Sequence, residues 1–212
     1  MKIGIVAGGP ERALASLSTY KEDIDIWIAA DAGAIYLMQY HLPIHVAIGD
    51  FDSISEEQRH DIQQEAERYK AYPKEKNETD LELAVEEAFR YQPSAILLFG
   101  VTAGRLDHEL ANIQLLYRLM DQGVDVTIVD RHNQIRMFQP GTYRVLANTS
   151  ELISFVPLSP VVKGLTLHGF YYALEDYSLH WGSTRCISNQ IIAHHGTFSF
   201  DEGILIMIKS KE

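Results

Sequence analysis

The sequence contains a single cysteine, Cys186, and no long apolar run. One cysteine excludes an intrachain disulfide, and this favours a reducing, cytoplasmic setting. A helix needs about 20 apolar residues to cross a bilayer, so we expect no membrane partner. Residues 1–6 carry one lysine and a very short apolar run. They predict a first β-strand rather than a signal peptide.

Basic residues are few relative to acidic ones. Lys and Arg total 18 against 29 for Asp and Glu, which gives a formal net charge of -11. Such a field repels DNA and RNA, so we expect no nucleic-acid partner. A small phosphate ligand remains compatible with this charge, because a metal ion can offset it locally.

Two phosphate-binding motifs are also missing: the sequence has neither a Walker A pattern nor G-x-G-x-x-G. Up to about residue 130, short apolar runs instead alternate with amphipathic stretches, which predicts parallel strands covered by helices. The apolar runs are residues 3–7, 26–30, 45–48, 95–99 and 124–129. Ser55 and Thr79 each open a capping-box pattern, and an apolar stripe from Leu110 to Met120, followed by Gly123, predicts a further helix.

After residue 130 the pattern changes to short strands separated by glycine and proline. The predicted strands are residues 134–138, 142–146, 152–156, 164–167, 190–193 and 204–208, with no convincing helix. The sequence therefore predicts an α/β domain with a parallel, Rossmann-like sheet over residues 1–130. An all-β sandwich over residues 131–212 follows it.

Polar residues and glycines follow the predicted strands of the first domain, where ligands bind in doubly wound sheets. Asp31 and Asp50 each come directly after a strand, and Gly8-Gly9 and Gly100 do the same. In an extended Asp50-Phe51-Asp52 segment both carboxylates would point to one side and could hold Mg²⁺. The alternative is an ordinary turn, since Asp and Ser are common in turns.

Two helix starts add further candidates. Thr79 is expected to cap a helix, and Asp80 could do the same or supply a third carboxylate to a metal. Upstream, Lys74 and Lys76 lie in a charged loop that is either solvated or binds phosphate.

Residues 100–108 run from a strand into a helix through two glycines, which allow the backbone to approach a phosphate. Arg105 could clamp phosphate oxygens with its planar fork. Asp107 could cap the helix or join the acidic cluster, and His108 and Asn112 could contact the ligand or simply pack.

The residues of the β-rich half indicate no chemistry by themselves. Tyr172 fits a sandwich core and Ser188-Asn189 fits a turn. Joint metal binding by His194 and His195 is disfavoured, because adjacent strand residues point to opposite faces.

As an ordered set, these segments resemble the thiamine pyrophosphokinase family. The matching pieces run along nearly the whole chain: Ala30-Asp31-Ala32-Gly33-Ala34, Gly49-Asp50-Phe51-Asp52-Ser53, Lys76-Asn77-Glu78-Thr79-Asp80, Gly104-Arg105-Leu106-Asp107-His108 with Asn112, Gly169-Phe170-Tyr171-Tyr172-Ala173-Leu174 and Ile187-Ser188-Asn189.

The resemblance implies a homodimeric enzyme that transfers pyrophosphate from ATP to the hydroxyl of thiamine, giving thiamine diphosphate and AMP. It implies Mg²⁺ on Asp50, Asp52 and Asp80, with Arg105 also catalytic. ATP would be bound by a set of side chains in the first domain: Asp31, Lys76, Thr79, Arg105, Asp107, His108 and Asn112. Thiamine would lie between subunits, against Tyr172, Ser188 and Asn189 of the β-sandwich.

The chain departs from the family pattern at three positions. Many relatives have Gly in place of Ala32 and Asp in place of Asn77, and some have Trp in place of Tyr172. The expected mechanism is direct attack of the thiamine hydroxyl on the β-phosphorus of ATP, with Asp52 or Asp80 accepting the proton. Two alternatives are a nucleotide-sugar transferase, which also uses D-x-D, and a nucleotide-binding sensor without catalysis.

Overall fold

Most of the short apolar runs of the N-terminal half form parallel strands. The computed structural model of the protein describes residues 1–148 and 150–211. Contacts divide the chain into two units, Met1–Arg131 and His132–Glu212. The strands of the first unit lie in the order β4-β3-β2-β1-β5-β6. They are β1 (Lys2–Val6), β2 (Ile26–Ala30), β3 (Val46–Gly49), β4 (Tyr69–Ala71), β5 (Ala95–Phe99) and β6 (Asp125–Val129).

Helices follow most of these strands and pack against the sheet. They are α1 (Gly33–Gln39), α2 (Glu56–Glu65), α3 (Asp80–Phe89) and α4 (Leu106–Met120), with two 3-10 turns at Glu11–Ala13 and Leu17–Tyr20. Both predicted capping boxes are confirmed: the hydroxyls of Ser55 and Thr79 accept from the amides of Gln58 and Glu82. These bonds satisfy amide groups that a helix start otherwise leaves unpaired.

The apolar stripes predicted for the helices are buried or partly buried, except at Leu110. In α3, Leu81, Ala84, Val85 and Ala88 are buried. In α4, Leu116 and Leu119 are buried, but Leu110, which we expected in the same stripe, is half exposed. The five predicted strands of this unit are confirmed, whereas β4 has only three residues and no buried one. A strand without an apolar run gives no periodic signal.

The second unit contains two antiparallel sheets. One has the order β7-β13-β9 and the other β11-β10-β12-β8. The strands are β7 (Asn133–Phe138), β8 (Gly141–Leu146), β9 (Leu152–Pro157), β10 (Val161–His168), β11 (Leu174–His180), β12 (His195–Phe200) and β13 (Leu205–Ser210). Phe155 of one sheet and Phe198 of the other pack with ring centroids 4.9 Å apart, so the two sheets share one core.

One predicted strand of this unit is wrong. Residues 190–193 form only an isolated bridge, Phe170 to Ile191, and the strand begins five residues later at His195. Strand β11 escaped prediction because Leu179 is its only buried residue. No helix occurs over residues 132–148 and 150–211, as the sequence predicted. Across the described chain, no helix is long and apolar enough to cross a membrane.

Candidate active site

The end of β2 holds Asp31 in an unusual conformation. Its φ is 50°, a left-handed value that Asp adopts more readily than most residues. Its amide donates to the carbonyl of Ile48 at 2.8 Å, and the hydroxyl of Ser53 donates to its Oδ2 at 2.6 Å. Its Oδ1 is buried, with no hydrogen-bond donor among the residues that the structure describes. A Cβ at Gly49 would lie 3.1 Å from the Asp31 Cα, so only glycine fits beside it without a shift.

The Asp50-Phe51-Asp52 segment turns rather than extends. Phe51 has φ 57° and is buried, with its ring stacked on Tyr69 at 4.7 Å. The expectation that the two carboxylates point to one side of an extended chain is therefore wrong. The Asp52 amide instead donates to Asp50 Oδ1 at 3.1 Å, and the Asp52 carboxylate pairs with the exposed Lys74.

Lys76 lies between the carboxylates of Asp50 and Asp80. Its Nζ donates to Asp50 Oδ2 at 3.3 Å and is 3.1 Å from Asp80 Oδ1. The second contact is an ion pair, so the two carboxylates share one ammonium group. All three side chains are largely buried, at 12% exposure for Lys76, 14% for Asp50 and 25% for Asp80.

The pKa values of Asp80 and Asp50 shift in opposite directions. Burial raises the pKa of Asp80, and Lys76 only partly offsets this effect. Burial also opposes ionisation of Asp50, but the Asp52 amide and Lys76 outweigh it and lower the Asp50 pKa. The pKa of Lys76 is reduced by burial and raised by both carboxylates, with a net increase. An ammonium group thus already serves as the counter-charge of this acidic pair.

The start of α3 is fixed by Thr79. Its hydroxyl accepts from the Glu82 amide at 3.2 Å, and the Glu82 carboxylate accepts from the Thr79 amide at 2.9 Å. Glu82 in turn binds Arg118 of α4 at 2.8 Å. The capping role of Thr79 is therefore present whatever else it contacts.

At the start of α4, Arg105 and Asp107 bind each other. Arg105 Nε and Nη2 donate to the two Asp107 oxygens at 3.2 and 2.6 Å, and both side chains are largely exposed. The capping expectation for Asp107 is wrong, because Arg105 occupies the cap position and makes no side-chain cap bond. This contact raises the pKa of Arg105 and lowers that of Asp107. A guanidinium fork that accepts a carboxylate also suits a phosphate.

Two glycine segments approach each other closely beside these residues. The Gly9 amide donates to the Gly100 carbonyl at 2.8 Å, and a Cβ at Gly9 would lie 2.3 Å from that oxygen. The hydroxyl of Tyr36 donates to the Gly9 carbonyl at 2.7 Å. Asn112 Nδ2 donates to the Val101 carbonyl at 2.9 Å. Sequence reasoning missed Tyr36, since its place on α1 gave no signal.

One cavity of about 640 Å³ gathers most of the predicted ATP-binding residues of the first unit. They are Asp31, Lys76, Thr79, Arg105, His108 and Asn112, and the predicted metal ligand Asp80 also lines the cavity. Glu109, which sequence reasoning did not single out, also lines it and accepts from the Ala103 amide at 2.9 Å. Asp107 lies instead in an adjoining groove of about 400 Å³. Asp50 and Asp52 do not line the cavity. Asp50 pairs with Lys76 and Asp52 pairs with Lys74, and both lysines line it.

The donor set fits a hard cation that also takes oxygen atoms from its ligand. Within the described residues, no cluster of three or more His, Cys, Asp and Glu side chains is arranged to hold a metal ion. Among the residues that the structure describes, Asp31 Oδ1 is nevertheless a buried acceptor without a hydrogen-bond donor, and buried Asp80 Oδ1 has its ion pair with Lys76. Mg²⁺ usually takes one or two carboxylates and completes its octahedron with water and phosphate oxygens.

In the second unit, Asn189 supports Tyr172. The side chain of Asn189 is buried. Its Oδ1 accepts from the backbone amides of Tyr172 and Gln190, and its Nδ2 donates to the Tyr172 carbonyl. The Tyr172 ring is 59% exposed and lies edge-on to Tyr171 at 4.9 Å. Both tyrosines and Asn189 line a cavity of about 530 Å³. Ser188 has φ 56° and an exposed side chain, and its amide donates to Ser154.

Comparison with protein families gives two matches. Residues 17–128 match "Thiamin pyrophosphokinase, catalytic domain". Residues 142–205 match "Thiamin pyrophosphokinase, vitamin B1 binding domain".

Individual thiamine pyrophosphokinases are similar to this chain along its full length. The thiamine pyrophosphokinase of Bacillus subtilis is 43% identical over 211 residues, covering 99% of both chains. A crystal structure of the Bacillus subtilis protein superimposes with a TM-score of 0.94 over 100% of each chain. One from Geobacillus thermodenitrificans, 40% identical, gives 0.89 over 100% of this chain and 98% of its own. The Candida albicans protein is 15% identical, with a TM-score of 0.87 over 100% of this chain and 89% of its own, and shares the fold.

Proposed function

The chain belongs to the thiamine pyrophosphokinase family and is an enzyme that makes thiamine diphosphate from thiamine, and we propose that its first unit binds ATP in the 640 Å³ cavity. The observation that carries this proposal is the convergence there of Lys76 and Asp80, from the loop and start of α3, with Arg105 from the start of α4. Asp31, Thr79, His108 and Asn112 line the same cavity. Asp107 contacts the nucleotide from the adjoining groove.

We further propose that Mg²⁺ is held by Asp50, Asp52 and Asp80. The ammonium that Lys76 shares between the buried carboxylates of Asp50 and Asp80 supports this assignment, because it shows that a cation is stabilised between them. When bound, Mg²⁺ would offset phosphate charge and polarise the phosphorus that is attacked. Asp52 would have to leave Lys74 to join the set.

The protein side of the mechanism is alignment and charge neutralisation. The thiamine hydroxyl attacks the β-phosphorus of ATP and AMP leaves, so negative charge grows on the phosphate oxygens. Lys76 and Arg105 would contact these oxygens and stabilise that charge. The backbone amides at the start of α4 add positive potential at the same edge of the cavity.

Thiamine binding is assigned to the second unit, in a homodimer with the site between subunits. The partner subunit's Tyr172, Ser188 and Asn189 would contact thiamine, with the exposed Tyr172 ring against its cationic thiazolium. Exposed apolar side chains of this unit support an interface: Leu146, Tyr171, Trp181 and Ile192. Residues 1–130 would then be the catalytic domain and residues 131–212 the thiamine-binding and dimerisation domain. We assign the enzyme to the cytoplasm.

Incubation with ATP, Mg²⁺ and thiamine tests the site. Wild-type protein should release AMP and thiamine diphosphate in equal amounts. Asp50→Asn and Asp80→Asn should fold and lose about 100-fold or more of kcat, as loss of a charge-stabilising group does. Near-normal turnover by folded Asp50→Asn would overturn the metal assignment. ADP as product would overturn attack at the β-phosphorus.

A further inference from the structure

Glu87 is a buried carboxylate that the proposed chemistry does not use. Its side chain is 2% exposed, and three cations surround it. Lys70 Nζ donates to Oε2 at 2.6 Å, and Arg90 Nε lies 3.3 Å from the same oxygen. Arg68 Nη2 lies 3.0 Å from Oε1 and forms an ion pair with it.

A buried ion cluster of this kind contributes little net stability to a fold. Removing a carboxylate from water is unfavourable, and the attraction of its partners offsets that cost only in part. An apolar side chain at position 87 would complete the packing of α3, whose neighbouring positions Leu83, Ala84 and Ala88 are already buried. We therefore expect the ion cluster around Glu87 to have a geometric role, such as fixing one secondary-structure element against another.

The elements that Glu87 joins are those that carry the proposed metal ligands. Lys70 is the central residue of β4, which pairs in parallel with β3 at Ile48↔Lys70 and Gly49↔Ala71. Asp50 follows Gly49 directly. Glu87 lies seven residues, about two turns, after Asp80 on α3. The Lys70–Glu87 bond thus fixes the helix that begins at Asp80 to the strand that is in register with the end of β3.

The same contact closes the base of the Lys76 loop. Residues 72–79 run from the end of β4 to the cap of α3, and they carry Lys76. At the strand end, the Tyr72 amide also donates to the Gly49 carbonyl at 2.9 Å. With both ends held, the loop retains fewer conformations in which Lys76 misses Asp50 and Asp80.

We propose that Glu87 is a positioning residue that sets the separation of Asp50 and Asp80 and the reach of Lys76 between them. It touches no substrate and acts through Lys70 and β4. The inference rests on the proposed metal role of Asp50 and Asp80. Loosening Glu87 should weaken the binding of Mg²⁺ itself, before any nucleotide is added.

Titration of the whole protein with Mg²⁺ alone, followed by calorimetry and by the rise in melting temperature, tests this role. Glu87→Gln keeps the shape and removes the charge, and its Mg²⁺ dissociation constant should rise about three- to tenfold, the range of coupling through packed neighbours. Lys70→Gln breaks the same contact from its less buried side and should give the same shift. Glu86→Gln removes an equal charge from the exposed neighbouring position and should match wild type.

Two further variants separate the possible failures. Val85→Ala, at a buried position of the same helix, loses stability without touching the ion cluster, so it should leave the Mg²⁺ dissociation constant unchanged. A rise in Val85→Ala equal to that in Glu87→Gln would reduce Glu87 to a stability residue. Wild-type affinity in both Glu87→Gln and Lys70→Gln would overturn the inference. If Asp80→Asn binds Mg²⁺ as wild type does, the metal assignment itself fails.

Discussion

The side chain of Asn189 holds the backbone of Tyr172 from both sides: its Oδ1 accepts from the Tyr172 amide at 3.0 Å and its Nδ2 donates to the Tyr172 carbonyl at 2.8 Å. A further bond from the Gln190 amide to Oδ1, at 2.9 Å, uses most of its remaining capacity. Asn189 is therefore better placed to orient the exposed Tyr172 ring than to bind thiamine with several bonds of its own.

Replacing Asn189 should affect both stability and thiamine affinity. Asn189→Ala removes three hydrogen bonds at a buried site, which at about 1 kcal/mol each lowers the free energy of unfolding by about 2–3 kcal/mol. KM for thiamine should rise about tenfold or more, while KM for ATP stays within a factor of two, since the support of Tyr172 is lost. Urea unfolding and steady-state kinetics measure these effects. The exposed Gln190→Ala is the control, and an unchanged thiamine KM in Asn189→Ala would contradict the role.

Lys76 should contribute most to the stability of the folded protein when no metal is bound. In Lys76→Met, Asp50 and Asp80 lose their shared counter-charge, so unfolding in urea without Mg²⁺ should occur at lower denaturant concentration. Added Mg²⁺ should restore more stability to Lys76→Met than to wild type, because it replaces the missing charge, while kcat falls. Lys163→Met, which loses only an exposed pair with Glu202 in the second unit, is the matched control. Equal Mg²⁺ responses in the three proteins would contradict this account.

The sequence predicted strands and helices wherever an apolar run or a cap marked them. Strands β1, β2 and β5 and the caps at Ser55 and Thr79 carry such signals. By contrast, α1 begins without a side-chain cap and has only seven residues, so neither of the usual signals was present. Strand β4 depends on its pairing with β3, a contact between segments about 20 residues apart.

The candidate site likewise contains features that the sequence predicted and features that it did not. That Asp31 and Arg105 line one cavity followed from the rule that ligands bind at the carboxyl ends of parallel strands, since both come after predicted strands. The place of Lys76 and Asp80 did not follow from this rule, because the strand before them, β4, gave no signal. Which carboxylate binds which cation did not follow, because it depends on Phe51. This ring is buried against Tyr69 and forces the chain into a left-handed turn. The pairing of Arg105 with Asp107 is also a choice among side-chain rotamers that spacing does not determine.

Cys186 gives a pH-dependent prediction. Burial raises the pKa of its thiol from 9.0 to about 11. Since the folded state keeps its proton between these values and the unfolded state loses it, the free energy of unfolding should decrease as pH rises from about 9 to 11. Cys186→Ala should show a smaller decrease over this window. A thiol reagent at pH 8 should label native protein much more slowly than protein in denaturant, and equal labelling rates would contradict the burial of this thiol.

Arg105 should act through its planar fork rather than through charge alone. In this structure Nε and Nη2 hold both oxygens of Asp107, a bidentate geometry that a phosphate group can adopt in the same way. Arg105→Lys keeps the charge but loses the second bond, so kcat/KM for ATP should fall about 100-fold. Arg144→Lys, whose parent side chain lies 3.2 Å from His195 in the second unit, makes the same exchange outside the lining of the cavity and should stay within about threefold of wild type. If Arg105→Lys retains wild-type kcat/KM for ATP, the guanidinium does not contact the phosphates in the transition state.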